Sequence, residues 1–297
     1  MRWQDFRRSE NIEEGSATGG GGGVGFGMPM RLSGGMIVLA VVVGLLFGVN
    51  PLDMLSALMG GGGPVTQQQA PAPQRAPGGA ARVADDPRRD FVASILGSTE
   101  DVWTRVFQDM GSRYEPPKLH LFHQGVKSAC GFASVASGPF YCPGDRRVYL
   151  DLDFFDELTR RFHAPGEFAQ GYVIAHEVGH HVQNLMGIMD KFAAQQRTLD
   201  ERSRNAMSVR LELQADCFAG VWGHHVQAMQ KLDPGDLEQG LRAASAVGDD
   251  QIQKQTRGTV VPDAFTHGSA EQRVRWFRTG FDSGDVRACN TFGARGP

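Results

Sequence analysis

Apolar positions along the chain fall into three patterns with different periods. Residues 32–49, LSGGMIVLAVVVGLLFGV, carry no charge over 18 consecutive positions. That length is at the lower end for a helix crossing roughly 30 Å of hydrocarbon. Residues 146–155, RRVYLDLDFF, alternate Val148, Leu150 and Leu152 against Tyr149 and Asp151, the period of a half-buried strand. From 166 to 187 the period changes to helical: Phe168, Tyr172, Ala175, Val178, Val182 and Leu185 recur at three- and four-residue steps. This run follows Pro165 and stops at Gly187. Met207, Leu211, Phe218 and Val221 mark a second helix, and Leu237, Leu241, Ala244 and Val247 a third. In THGSAEQRVRWF, Ser269 caps a fourth, Gln272 completes a capping box, and Val274, Phe277 and Phe281 face the core.

Composition divides these patterns. Glycine and alanine runs precede residue 90, whereas histidines, all four cysteines and three of the four tryptophans follow it. The reading is a polar tail over 1–31, a transmembrane helix with an interfacial extension over 32–58, and a Gly/Pro/Ala/Gln linker over 59–88. Residues 89–297 then form one domain with enough chain for a core. Arg2, Arg7, Arg8 and Arg31 precede the apolar run, and no Lys or Arg follows it until Arg75. The positive-inside rule therefore predicts a cytosolic N-terminus, a single span contacting the lipid bilayer, and a domain outside.

A net charge of −3 argues against nucleic acid as the main partner. Cys130 and Cys142 bracket a short apolar, turn-rich loop that a disulfide would close, which suits an oxidising compartment. Cys217 and Cys289 remain open between a second bridge and buried thiols.

The chemistry concentrates in AHEVGHHVQN at 175–184. On a helix, His176 and His180 lie one turn apart on the same side and converge on one tetrahedral zinc, Zn2+, per chain. Glu177, beside them, is placed to reach water rather than the metal, as a general base. Gly179 leaves room on that face. In RLELQADCFAGVW, Glu212 and Asp216 again share a side, and two carboxylates on an apolar helix need a metal or donors to be buried. Glu212 as third ligand and Asp216 as hydrogen-bond partner of a ligand histidine answer that need. His267 is read either as a donor to an oxyanion or as a surface histidine. Arg273 either orients His267 or pairs with Asp216. The strand at 146–155 is either an edge that pairs with an extended peptide or a core strand.

Together, MRWQDFRRSENIE, GPFYCPGDRRVYLDLDFF, VIAHEVGHHVQN, RLELQADCFAGVW and FTHGSAEQRVRWF resemble the bacterial, membrane-anchored putative neutral zinc metallopeptidase family. His176-Glu177-x-x-His180 followed by Glu212-x-x-x-Asp216 resembles the gluzincin arrangement. The resemblance implies an α+β zincin-like fold, zinc held by His176, His180 and Glu212, Glu177 as general base, a peptide or protein substrate, and an inner-membrane location. Its rivals are an envelope adaptor that binds zinc without cleaving and a zinc amidase acting on cell-wall peptides.

Overall fold

The computed structural model describes residues 1–15, 86–123, 125–134 and 138–293. The expected transmembrane helix at 32–58 and nearly all of the linker lie outside these residues. Among the described residues, no helix is long and apolar enough to cross a membrane.

The alternating run becomes a strand over Arg147–Asp151, at the centre of a four-stranded sheet. In chain order the strands are β1 (Ile12–Glu14), β2 (Lys118–Phe122), β3 (Gly125–Ser128), β4 (Gly131–Ser134), β5 (Phe140–Cys142) and β6 (Arg147–Asp151). The sheet order is β1-β2-β6-β5, with β1, β2 and β6 parallel and β5 antiparallel at the edge. Strand β6 is therefore flanked on both sides, and among the described residues the edges of the sheet are β1 and β5. It is also not half-buried: Tyr149 and Asp151 are as enclosed as Val148 and Leu150. The β3–β4 hairpin explains this, because Val126 and Ala133 join Phe122, Cys142 and Tyr149 in a small second core on the far face. The Cys130–Cys142 disulfide ties that hairpin to β5.

Eight α-helices complete the described fold: α1 (Arg88–Asp109), α2 (Phe154–Arg160), α3 (Glu167–Leu185), α4 (Ile188–Gln196), α5 (Glu201–Ala228), α6 (Asp236–Ala246), α7 (Asp249–Arg257) and α8 (Ala270–Ser283). The apolar face seen in the sequence seats α3 in the main core, where Phe168 stacks on Trp222 of α5. Gly179 permits the close approach of α3 and α5, since a Cβ there would lie 3.0 Å from the carbonyl oxygen of Ala215. Helices α5 and α8 touch backbone to backbone at Gly220 and Gly280, and the Cys217–Cys289 disulfide ties α5 to the short 3-10 turn Val286–Cys289 that follows α8. The expected Ser269–Gln272 capping box begins α8.

One expectation needs correction. The first fifteen residues are not a separate tail, and the domain does not begin at 89. Strand β1 extends the main sheet, and Met1 and Phe6 are buried in the main core. Their polar surroundings hid this in the sequence: the apolar content is too sparse to signal a packed segment, and its partners are distant in the chain.

Candidate metal centre and active site

The 3.6-residue period of α3 does what its spacing implies. His176 and His180 project from one face with ring centroids 4.8 Å apart. From α5, Glu212 meets both: its Oε2 lies 3.2 Å from His176 Nε2 and its Oε1 3.4 Å from His180 Nε2. These three residues form a group that could hold a metal ion. Donors at 2.0–2.1 Å from a tetrahedral zinc sit about 3.3 Å from one another, so the observed edges fit that ion.

Both imidazoles are fixed from behind. His176 Nδ1–H donates to Asp216 Oδ1 at 2.8 Å, and His180 Nδ1–H donates to Gln183 Oε1 at 2.8 Å. Each bond leaves Nε2 pointing into the site, where loss of its proton frees a lone pair for a metal. Gln183 is itself held, donating to the Leu211 carbonyl and to Gln214 Oε1. Sequence reasoning missed Gln183, although it follows His180 by three positions and so shares its helix side.

Asp216 is fully buried, and every donor it needs is present. Arg273 reaches it through Nε at 2.8 Å and an NH2 at 2.9 Å, and Tyr172 donates its hydroxyl at 2.5 Å. Of the two readings of Arg273, the structure takes the pairing with Asp216. Burial alone would raise the Asp216 carboxyl, but Arg273 and His176 outweigh it and hold the group below its ordinary range. Burial likewise opposes charge on His176, yet Asp216 and Glu212 together hold the metal-free imidazole up at about 10. Glu212 is only partly buried, and the charge of His180 with both histidine hydrogen bonds keeps it ionised, well below the usual carboxylate range.

Glu177 lies one step after His176, almost buried, and among the described residues it accepts no hydrogen bond. A carboxylate left without protein donors in such a place is available to water or substrate.

His267 sits close enough to Glu212 for each charge to stabilise the other. Its ring is oriented by Asp249, with Nδ1 3.2 Å from Asp249 Oδ1. The other Asp249 oxygen accepts from the backbone N–H groups of Thr266, His267 and Gly268. Asp249 stands at the start of α7, and nothing in its sequence spacing links it to His267.

His123, Asp151 and Asp153 form a second group with metal-compatible spacing, at 3.7 to 3.9 Å. Asp153 also accepts from Arg88 at 3.3 Å, which makes this an ion-pair cluster.

Two imidazoles and one carboxylate, each oriented by a neighbour and joined by an unengaged glutamate, define an α+β protein with a candidate hydrolytic metal centre. The chain belongs to the putative neutral zinc metallopeptidase family, whose pattern matches residues 1–292. It is 47% identical over 296 residues to the "Uncharacterized protein YpfJ" of Escherichia coli (strain K12), covering 99% of both chains. It is 42% identical over 215 residues to the "Uncharacterized protein Rv2575" of Mycobacterium tuberculosis (strain ATCC 25618 / H37Rv), covering 69% of this chain and 72% of that one. No solved structure matches.

Proposed function

We propose that the protein is a zincin-type endopeptidase holding one zinc ion per chain on His176, His180 and Glu212. What carries this reading is the pair of Nε2–carboxylate edges at 3.2 and 3.4 Å, which suit a tetrahedral ion, with both Nδ1 atoms already committed to other partners. Zinc, when bound there, supplies a Lewis acid that polarises the scissile carbonyl and acidifies water. Glu177 accepts the proton of the attacking water and delivers it to the leaving amine. His267, held by Asp249, donates to the oxygen that becomes negative as the carbonyl is attacked.

Strand β5 is the proposed docking edge for an extended peptide. It is antiparallel, outermost in the sheet, and joined to α3 by the Tyr141 hydroxyl, which lies 3.1 Å from His181 Nδ1 and 3.0 Å from Asn184 Nδ2. An edge of this kind accepts the middle of a chain, which favours an endopeptidase. The two disulfides support an oxidising, extracytoplasmic compartment.

The test is cleavage of an unbiased peptide mixture by the purified full chain beside its Glu177→Gln variant. Wild type should cleave internal bonds and stop when zinc is chelated. Glu177→Gln should lose about 10²- to 10⁴-fold in turnover while keeping its zinc. Digestion of cell-wall peptides alone would favour the amidase instead, and zinc binding without any cleavage would favour the adaptor.

A further inference from the structure

The first fifteen residues are joined to the domain by interactions that leave no freestanding alternative. Glu100 of α1 is a buried carboxylate, and its side-chain donors come from this segment: Arg7 NH2 at 2.7 Å, Ser9 Oγ at 2.6 Å and Asn11 Nδ2 at 2.7 Å. Without them a charge would stand buried and unmet. The backbone crosses α1 at Gly97, where a Cβ would lie 2.1 Å from the Arg7 carbonyl oxygen, and the Ser9 N–H donates to the Ala93 carbonyl. Beyond it, β1 pairs in parallel register with β2, Ile12 opposite Leu119 and Glu14 opposite Leu121.

Two parallel strands need a crossover, and α1 supplies it. The segment from 16 to 85 is therefore an insertion within one β-α-β unit, between β1 and α1. Its two ends leave the domain close together. Gly15 donates to the Leu121 carbonyl at the end of β2. Arg88 holds Asp86 and donates to the Leu152 carbonyl just past the end of β6. Glu14 and Arg89 form an ion pair across the gap between the two ends.

A chain that departs from and returns to one end of one sheet crosses a bilayer an even number of times, zero included. The apolar stretch at 32–58 is too short for two helical spans, which need about 20 residues each. Two of the four arginines that suggested a cytosolic N-terminus have partners within the domain: Arg7 pairs with Glu100 and Asp101, and Arg8 with Asp90.

We propose that residues 1–15 and 86–293 occupy the same side of the membrane as two parts of one discontinuous domain. This conclusion is independent of the hydrolytic chemistry, since it rests on β1, Gly97 and Glu100 alone.

The native cysteines are all paired, so single added cysteines report cleanly. Glu10→Cys and Arg197→Cys place one thiol on each part, both at exposed positions. Each full-length variant is treated with a membrane-impermeant maleimide in spheroplasts, and again after the membrane is opened with detergent. Opening the membrane must make both thiols reactive. The expected result in sealed spheroplasts is the same behaviour at both positions, either both labelled or both protected. Labelling at one position with protection at the other would overturn the proposal and restore a single span.

Discussion

Arg273 grips both carboxylate oxygens of Asp216, through Nε at 2.8 Å and an NH2 at 2.9 Å, and Asp216 passes that constraint to His176 Nδ1 at 2.8 Å. The chain of contacts joins α8, α5 and α3 through buried, charge-assisted hydrogen bonds, stronger than neutral ones. It also separates two effects that mutation can resolve. Asp216→Asn keeps the volume but removes the charge that favours a strong Nδ1–H donor. Zinc affinity should fall about 10- to 100-fold with the fold retained. Arg273→Ala instead strands a buried carboxylate and should cost about 3–5 kcal/mol of stability. Metal titration and denaturant unfolding, run on both variants, distinguish the outcomes. Unchanged zinc affinity in Asp216→Asn would remove Asp216 from the support of the site.

Zinc binding should release protons. The metal-free His176 imidazole is held up at about 10, so at neutral pH its Nε2 carries a proton that the metal must displace. Affinity should therefore rise as pH increases from 6 to 9. Calorimetric titrations in buffers of different ionisation enthalpy count the protons directly. A binding enthalpy independent of the buffer would contradict this assignment.

His181 carries the opposite shift, lowered where that of His176 is raised, and its consequence is for stability. Its ring faces away from the centre: Nε2–H donates to the Glu115 carbonyl at 2.7 Å and Nδ1 lies 3.1 Å from the Tyr141 hydroxyl. Burial lowers its pKa from 6.5 to about 4, and a nearby zinc charge would act in the same direction. The unfolded chain then binds the extra proton between those values, so this stability is complete above pH 6.5 and lost as pH falls towards 4. The shift corresponds to about 3 kcal/mol. His181→Gln should flatten that part of the stability curve, measured by urea unfolding across pH 4 to 7.

Close helix contacts give a sharper structural test. A Cβ on Gly280 would lie 1.9 Å from the Cys217 carbonyl oxygen, and one on Gly97 would lie 2.1 Å from that of Arg7. Both obstacles are backbone and cannot rotate away. Gly280→Ala and Gly97→Ala should each destabilise by at least about 1–3 kcal/mol, read as a lower Tm. Gly187→Ala is a useful contrast: nothing lies near its Cβ, so its cost comes only from the positive φ of 70°.

Local order was legible from residue spacing. Helical period alone placed His176 and His180 on one side of α3, Glu212 and Asp216 on one side of α5, and Ser269 with Gln272 at the start of α8. Each of these relationships spans a few residues of regular backbone, so propensity and apolar periodicity determine it without knowledge of the rest of the molecule. The Cys130–Cys142 bridge was legible for a similar reason, because its loop is short. Tertiary structure decided the relationships that no local period encodes. It joined Asp249 to His267, gave Arg273 to Asp216, covered the second face of β6 with a hairpin, and left the sheet edges to β1 and β5. It also drew residues 1–15 into the domain. That segment has few apolar residues, and its strand forms only when β2 supplies the hydrogen bonds and Glu100 gathers its donors. A strand's partners come from elsewhere in the chain, whereas a helix satisfies its own backbone, and this difference sets what the sequence alone determined about this protein.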